Sequence, residues 1–319
     1  MVTKKLVAVC SILVSLSFGT HDAPAAEANK LANAVASVSA PTYRMISGAG
    51  GLPIAAMEWG KPDGPAILFL HGFSFAKEFW RRQNTVDLAS RFHMVAIDLR
   101  GHGASGKPWT PEQYQDTHLW ADDVAATLQA FNLSKPVIVG WSFGGFVAMD
   151  YLRHYGNSSV AGVMLVSSPA GLVDSLHPDT PGYPAAAAQQ MSLDLSENIR
   201  GERFFVRLMT AKPLPPAEEE DWLVQTLRMP VYARTAMRGR SLGNKDLLPA
   251  LTAPVMLVIG SEDRSMPVAA LRSLTKDHAN ISFNSLAGVG HALAYEAPSV
   301  FNDLLRDFAL RCEAAISKR

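Results

Sequence analysis

The chain has 319 residues, of which 48% are hydrophobic and 18% charged, and its 29 basic side chains balance its 29 acidic ones. This apolar content is enough for the core of one large domain, or of a domain with an insertion. The absence of net charge argues against nucleic acid as the main partner, because nucleic-acid-binding proteins normally have a basic surface.

The N-terminus has the pattern of an export signal. Two lysines precede the apolar run 6-LVAVCSILVSLSF-18, which is too short to span a bilayer comfortably. The small residues of 19-GTHDAPAAEA-28 suit cleavage by a signal peptidase. We therefore predict a signal peptide over residues 1–28, a leader over 29–41, and an exported protein, periplasmic or secreted. After cleavage no stable membrane span is expected.

Short β-rich runs recur along the chain and are apolar throughout, which is typical of strands covered by helices on both faces. A hairpin around the glycine cluster 48-GAGG-51 is predicted from Thr42 to Trp59. Further strands are predicted at 66–70, 94–98, 137–140, 161–168, 254–260 and 280–286, and helices at 75–90, 117–131, 143–155, 267–277 and 297–315. Such alternation predicts an α/β fold with a mostly parallel sheet.

One long interval interrupts this alternation. Between Ser168 and Pro254 no strand-like run occurs, and helices are predicted at 195–210, 217–228 and 230–240. An excursion of this length between two core strands indicates a helical cap, which we place at residues 169–250. The core then consists of residues 42–168 and 251–316. The alternative is a set of connecting helices without a functional role.

The stretch 140-GWSFGG-145 contains the G-x-S-x-G pattern of a nucleophile elbow, in which Ser142 lies on a tight turn between strand and helix. Small residues on either side allow strand and helix to approach, and the turn exposes the hydroxyl. The elbow also directs the backbone N–H of Phe143 toward the reacting oxygen. The competing interpretation is a serine that only caps the helix.

A nucleophilic serine needs a base and a group that orients the base. Among His154, His177, His278 and His291, the last is the strongest candidate, because it follows the final strand in a glycine-bearing loop. Asp263 follows the strand 254–260, at the sheet edge where α/β proteins place their chemistry. The adjacent Glu262 is the alternative acid.

The loop 71-HGF-73 is the candidate for the second oxyanion donor. Gly72 lets the backbone approach the substrate, and the N–H of Phe73 would point into the hole. We expect His71 to shape this loop rather than to act as a base.

These motifs, with 98-DLRGHGAS-105, resemble those of α/β-hydrolase-fold proteins across nearly all of residues 42–316. The resemblance implies eight strands with the second antiparallel, and a cap after the sixth strand. It also implies a Ser142–Asp263–His291 triad and an oxyanion hole at Phe73 and Phe143. Related dehalogenases and epoxide hydrolases have an aspartate where this chain has Ser142, which argues against those activities.

Neither a cofactor nor a metal is predicted. The stretch 101-GHGASG-106 satisfies G-x-G-x-x-G, but Pro108 and Pro111 follow it, so a loop is expected where a nucleotide site would need a helix. No H-E-x-x-H motif or Cys/His cluster is present.

The substrate is expected to be a small-molecule ester or lactone. Phe75, Trp141, Met209 and Trp222 are the candidate pocket residues, and the alternative is that the apolar cap residues pack a core of their own. The arginines at 234, 238 and 240 are expected to be solvated helix charges, with carboxylate binding as the alternative.

Three functions remain open at the level of sequence. The favoured one is a carboxylic-ester hydrolase. The second is a sibling chemistry on the same triad: lactone hydrolysis, C–C hydrolysis, or perhydrolysis resembling that of non-haem haloperoxidases. The third is a binding protein on a hydrolase scaffold. The oligomeric state is not predicted.

Overall fold

The computed structural model describes residues 39–174 and 181–317. The predicted signal peptide, most of the predicted leader and the candidate base His177 lie outside these ranges. None of the helices within them is long and apolar enough to cross a membrane.

An eight-stranded sheet forms the centre of the described chain, with the strand order β1-β2-β4-β3-β5-β6-β7-β8. β2 pairs antiparallel with β1 and β4, and all other neighbours are parallel. The strands are β1 Thr42–Ser47, β2 Pro53–Gly60, β3 Ala66–Leu70, β4 His93–Ile97, β5 Val137–Trp141, β6 Gly162–Val166, β7 Val255–Gly260 and β8 Ile281–Leu286. The predicted α/β fold and its mostly parallel sheet are confirmed.

Both faces of the inner strands β3 to β7 are buried, which explains why these strands are almost wholly apolar, whereas the edge strands β1 and β8 are partly exposed and carry polar residues. In β3, Leu68 and Leu70 belong to one core cluster while Ile67 and Phe69 belong to the other. Successive side chains of a strand point to opposite faces, so a strand covered on both faces has no polar side. The first cluster includes Trp120 and other residues of the helices on its side.

Helices cover the sheet on both sides. Those outside the long interval are α1 Val86–Ala89, α2 Glu112–Gln115, α3 Thr117–Ala130, α4 Phe143–Tyr155, α9 Val268–Asp277, α10 Leu293–Glu296 and α11 Pro298–Ile316. The single helix predicted at 75–90 was wrong. A 3-10 helix at Lys77–Gln83 is followed by a break, and Thr85 then caps the short α1 by accepting from the Leu88 N–H.

Four α-helices and a 3-10 helix at Lys245–Ala250 lie in the described part of the long interval between β6 and β7, for which we use the name cap segment (residues 169–250). The α-helices are α5 Tyr183–Gln189, α6 Leu195–Leu208, α7 Pro216–Leu227 and α8 Val231–Met237. The sequence predicted the last three but not α5, a short helix of mostly alanine that begins with Pro184 in its first turn. The division of the chain into core and cap stays a prediction.

The two ends of the cap segment are joined to each other. The Asn244 N–H donates to Gly171 O at 2.9 Å, and the Asn244 side chain donates to Ala170 O at 3.0 Å. A Cβ on Gly171 would lie 2.0 Å from Leu242 O, so only glycine permits this approach. The chain therefore leaves the sheet and returns to it at one place.

The expectation of solvated arginines in the cap segment was wrong for two of the three. Arg234 is fully buried and its Nε lies 3.0 Å from Glu202 Oε1, while the buried Arg240 pairs with Asp150. The two acids lie in other elements, so adjacent sequence gave no sign of them. Arg238 is the exposed member of the set.

Candidate active site

Ser142 lies at a sharp turn between β5 and α4, with φ 51° and ψ −114°. A Cβ on Gly144 would lie 2.3 Å from Leu70 O, and one on Gly140 would lie 2.6 Å from Gly144 O. Both positions therefore require glycine. The turn is held by the Ser142 N–H, which donates to Val166 O at 2.9 Å, and by the Ser168 hydroxyl, which donates to Ser142 O at 2.6 Å.

The loops that follow β7 and β8 bring Asp263 and His291 together. His291 Nδ1 lies 2.9 Å from Asp263 Oδ2, and both residues are buried, with 5% and 7% of their surfaces exposed. Burial alone would raise the pKa of Asp263. The charge of His291 and hydrogen bonds from His291 and Ser265 outweigh burial and hold the pKa of Asp263 below its ordinary value.

Ser265 completes this contact, and the sequence analysis missed it. Its hydroxyl donates to Asp263 Oδ1 at 2.6 Å, and its oxygen lies 2.9 Å from His291 Nδ1. A hydroxyl that donates to the carboxylate has lone pairs left to accept from the imidazole. This arrangement favours a proton on Nδ1 and leaves Nε2 of His291 able to accept one. The signal was a second hydroxyl residue in the loop that carries Asp263.

Ser142 and His291 line the same cavity, which has a volume of about 520 Å³. Within the described residues no hydrogen bond joins the Ser142 side chain to His291. Hydrogen bonds between catalytic groups are commonly long in enzymes without substrate and shorten in the substrate complex. The structure thus places Ser142 in one cavity with a paired histidine and aspartate.

The predicted oxyanion donors lie beside Ser142. Phe143 is the first residue of α4, where backbone N–H groups have no partner within the helix. The N–H of Phe73 finds no acceptor in the part of the chain that the structure describes. Ser74, which follows Phe73, has φ 64°, and such left-handed conformations of non-glycine residues cluster at functional sites.

Two buried histidines support the loop that carries Phe73. His71 Nε2 accepts from the Leu99 N–H at 3.0 Å, so Nδ1 carries the proton and donates to Gly72 O at 2.8 Å. Burial lowers the pKa of His71 to about 3, and burial also lowers the pKa of His102 well below its ordinary value. The rings of the two histidines are in edge contact. His71 is thus a neutral part of the loop structure.

The wall of the cavity is mostly apolar. It includes four phenylalanines and four methionines, from both the core and the cap segment: Phe73, Phe143, Phe146, Phe205, Met191, Met209, Met237 and Met266. Methionine side chains are flexible and polarisable, so they adapt to ligands of different shape.

Of the four predicted pocket residues, Met209 lines this cavity, whereas Phe75, Trp141 and Trp222 do not. These three are buried in an aromatic cluster behind the site, where the Trp141 ring stacks on Phe79 at 3.7 Å. Large rings in this position have no free face for a substrate. Trp141 instead donates from Nε1 to His291 O at 2.9 Å, which fixes the loop of the histidine.

The alternative candidates from the sequence take no part in the contact between His291 and Asp263. Glu262 is exposed and accepts from its neighbour Ser261. His154, near the end of α4, lies 3.1 Å from Thr117 Oγ1. The stretch 101–106 forms turns, and the next helix begins only at Glu112, as the loop prediction requires.

Another contact that the sequence did not reveal connects the cap segment to the loop of His291. The two carboxylate oxygens of Glu296 accept from the Gly290 N–H at 2.7 Å and from the Ala211 N–H at 2.8 Å. The Ala292 N–H donates to Met209 O at 2.6 Å.

Across the described ranges, no three His, Cys, Asp or Glu side chains are grouped as a metal site.

Comparison with known proteins decides the family. Residues 67–304 match the family described as the alpha/beta hydrolase family. The chain belongs to the alpha/beta hydrolase family. The hydrolase is 28% identical over 277 residues to the bifunctional esterase/perhydrolase DCH of Acinetobacter calcoaceticus, a match that covers 80% of this chain and 95% of the relative.

Two solved structures show the same architecture. A putative aryl esterase from Burkholderia cenocepacia has a TM-score of 0.79 and 28% identity, and the match covers 86% of this chain and 100% of the esterase. The esterase RhEst1 from Rhodococcus sp. ECU1013 has a TM-score of 0.74 and 28% identity, covering 84% of this chain and 98% of the other. Together with the family, these matches identify the hydrolase as an esterase-like enzyme that acts on ester bonds.

Proposed function

We propose that this hydrolase is an exported carboxylic-ester hydrolase that acts on small to medium apolar substrates through Ser142, His291 and Asp263. The observation that carries the proposal is the placement of Ser142 at the elbow, in one cavity with His291, whose Nδ1 contacts Asp263 at 2.9 Å. Nucleophile, base and orienting acid are the three parts that serine acyl transfer needs.

The first half of the reaction transfers the acyl group to the enzyme. Nε2 of His291 takes the proton of Ser142, and the serine oxygen attacks the carbonyl carbon of the ester. Negative charge develops on the carbonyl oxygen, which receives hydrogen bonds from the N–H groups of Phe73 and Phe143. When the tetrahedral intermediate collapses, the alcohol leaves with the proton from His291.

The second half releases the acid. His291 takes a proton from water, the resulting hydroxide attacks the acyl carbon, and Ser142 recovers its proton from the imidazole. During both steps Asp263 stays ionised, because its pKa lies below the ordinary value, and its charge stabilises the imidazolium.

The cavity supports the proposed substrate class. Its volume of about 520 Å³ is within the range of sites for drug-sized ligands, and its wall is rich in phenylalanine and methionine. Burial of apolar substrate surface against such a wall contributes about 25 cal/mol per Å² before the costs of binding.

Perhydrolysis is the second candidate. The relative DCH is named a bifunctional esterase/perhydrolase, and in that chemistry hydrogen peroxide takes the place of water in the second half of the reaction. The acyl-enzyme is common to both reactions, so one active site can serve either nucleophile.

The test is hydrolysis of p-nitrophenyl esters from acetate to decanoate by the mature chain and by Ser142→Ala. We expect turnover by the wild type and a loss of about 10⁴-fold or more in the variant, the size of effect seen when a nucleophile is removed. Ser158→Ala is the matched control, because Ser158 is exposed in the turn after α4.

Two further assays separate the alternatives. Peracid formation from acetate and hydrogen peroxide measures perhydrolysis, and hydrolysis of a homoserine lactone measures lactonase activity. If the wild type turns over no ester at any chain length, the esterase proposal fails and the two assays identify the replacement.

Export has its own test. The proposal rests on the basic, apolar and small-residue segments of residues 1–28. The full chain expressed in a bacterium is expected in the periplasm or the medium with a mass that lacks the signal peptide. A chain that stays in the cytoplasm at full mass would contradict export and leave the esterase proposal untouched.

A further inference from the structure

The cap segment contributes polar side chains to the cavity that the acyl-transfer mechanism does not use. They are Tyr183 and Gln190 at the two ends of α5, and Arg238 directly after α8. Among the described residues that line the cavity, Arg238 alone has a permanent charge, and none is an aspartate or a glutamate. The Gln190 amide already donates to Glu202 Oε1 at 3.2 Å, so the positive charge of Arg238 is the feature of this wall on which the inference is built.

Arg238 differs from its two neighbouring arginines. Arg234 and Arg240 are buried in pairs with Glu202 and Asp150, whereas Arg238 is exposed and pairs with no carboxylate in the described ranges. One of its nitrogens, Nη2, donates to Ala187 O at 3.1 Å. A guanidinium has five N–H donors, so most of them stay available to a ligand after this contact.

The contact with Ala187 also gives Arg238 a defined position. Ala187 lies on α5 and is itself part of the cavity wall, so the guanidinium is anchored at the wall rather than free in solvent. Burial raises the pKa of the neighbouring Tyr183 while the positive charge of Arg238 opposes the increase. The phenol therefore stays neutral near the positive charge of Arg238.

We propose that Arg238 forms a subsite for a carboxylate on the substrate, in the same cavity as Ser142 and His291. This inference rests on the proposed function, because it specifies the substrate of the same cavity. The preferred substrate is then an ester with an apolar body and an anionic end, such as a monoester of a dicarboxylic acid. Arginine recognises carboxylates through two parallel N–H donors, which gives both orientation and selectivity.

The test compares two esters of equal chain length, mono-p-nitrophenyl adipate and p-nitrophenyl hexanoate, which differ by a terminal carboxylate. We expect the wild type to have a higher kcat/KM for the adipate ester. In Arg238→Met the ratio of the two kcat/KM values is expected to fall about tenfold, the size of one hydrogen bond to a charged group. Arg238→Lys keeps the charge and is expected to retain part of the ratio.

Arg228→Met is the matched control, since Arg228 is an exposed arginine of the cap segment outside the cavity wall. It is expected to leave the ratio unchanged. Added salt is expected to lower the ratio in the wild type more than in Arg238→Met, because salt screens the charge pair.

The outcomes separate this inference from the proposed function. If the hexanoate ester is hydrolysed in a Ser142-dependent way but Arg238→Met leaves the ratio unchanged, the carboxylate subsite is overturned and the esterase stands. If neither ester is hydrolysed by the wild type, the esterase proposal fails and the inference fails with it.

Discussion

His71 shows how a single residue can be required for a site without reacting. Its Nε2 accepts from the Leu99 N–H, and protonation there would destroy the hydrogen bond that holds the loop. The ring is fully buried, and so is that of His102, with which it is in contact. Burial lowers the pKa of both histidines and so favours their neutral forms in the folded enzyme.

Because the folded protein favours the neutral forms of His71 and His102, we expect its free energy of unfolding to fall in mild acid. In the unfolded chain His71 takes up a proton below about pH 6.5, whereas in the folded chain burial lowers its pKa to about 3. The unfolded state then binds more protons, so the free energy of unfolding falls as pH decreases from 6.5 toward 3. From pH 7 to pH 5 the expected loss is about 2 kcal/mol for His71, and His102 adds a loss of the same sign.

Urea unfolding of the wild type and of His71→Gln at pH 7 and pH 5 measures this effect. The variant is expected to be less stable at pH 7 but to lose less stability on acidification, because one of the two titrating rings is gone. An equal loss in both proteins would contradict the assignment of a neutral His71.

At the scale of elements, the junction of β5 and α4 depends on how closely backbones approach. The strand and the helix meet through Gly140 and Gly144, and Gly144 also lies against the carbonyls of Leu70 and His71 at the end of β3. A side chain there would displace backbone rather than a flexible side chain, so the strand-to-helix turn has little freedom to adapt.

Gly144→Ala is therefore expected to lower the free energy of unfolding by about 3 kcal/mol and to reduce kcat by displacing Ser142. Gly243→Ala is the matched control, since a Cβ on Gly243 meets no heavy atom within 4 Å. Denaturant unfolding and ester hydrolysis are to be measured for both. Equal effects of the two substitutions would show that the close approach at Gly144 has no energetic role.

Many of the strands and three residues of the candidate site could be predicted from the sequence. The inner strands were predictable because burial on both faces makes them almost wholly apolar, and Ser142, Asp263 and His291 could be related because each follows a predicted strand. The single helix predicted at 75–90 failed because the chain breaks at Asn84 and Thr85, where Thr85 caps the separate helix α1. The residues of the pocket wall were harder to predict, since they depend on how helices of the cap segment pack over the core.

At the scale of the whole molecule, the buried pair of Arg234 and Glu202 connects distant parts of the chain. Besides Glu202 on α6, Arg234 on α8 donates to Gln190 O at 3.1 Å, to Thr226 O at 2.8 Å and to the hydroxyl of Ser74 at 3.3 Å. Burial raises the pKa of Glu202 and lowers the pKa of Arg234, and in each case the partner's charge opposes the effect. Each ion is thus tolerated in the interior because of the other.

Glu202→Gln is expected to lower the free energy of unfolding by about 3 to 5 kcal/mol, because it leaves Arg234 buried without a counter-ion. The double variant Glu202→Leu with Arg234→Met is expected to lose less, since neither charge remains. Glu197→Gln is the control on the same helix: its exposed pair with Arg200 is worth less than about 1 kcal/mol. A double variant less stable than Glu202→Gln would contradict the argument.

Buried ion pairs between residues that are far apart in the chain could not be predicted from the sequence. Glu202 and Arg234 are on different helices, and Asp150 on α4 precedes the long interval that contains Arg240, so no local pattern relates the members of either pair. Only tertiary packing shows that Arg238 differs from the arginines beside it.

The hydrogen bonds from Asn244 to Ala170 and Gly171 have a consequence for the evolution of such enzymes. Because the chain leaves β6 and returns to β7 at one place, the spacing of these strands does not depend on what lies between Gly171 and Asn244. Closing a longer or shorter excursion between fixed ends changes the free energy only slowly with length. Descendants of a common ancestor can therefore acquire, trim or exchange the whole excursion while Ser142, Asp263 and His291 keep their places. Diversity of substrates within a lineage then requires no redesign of its chemistry.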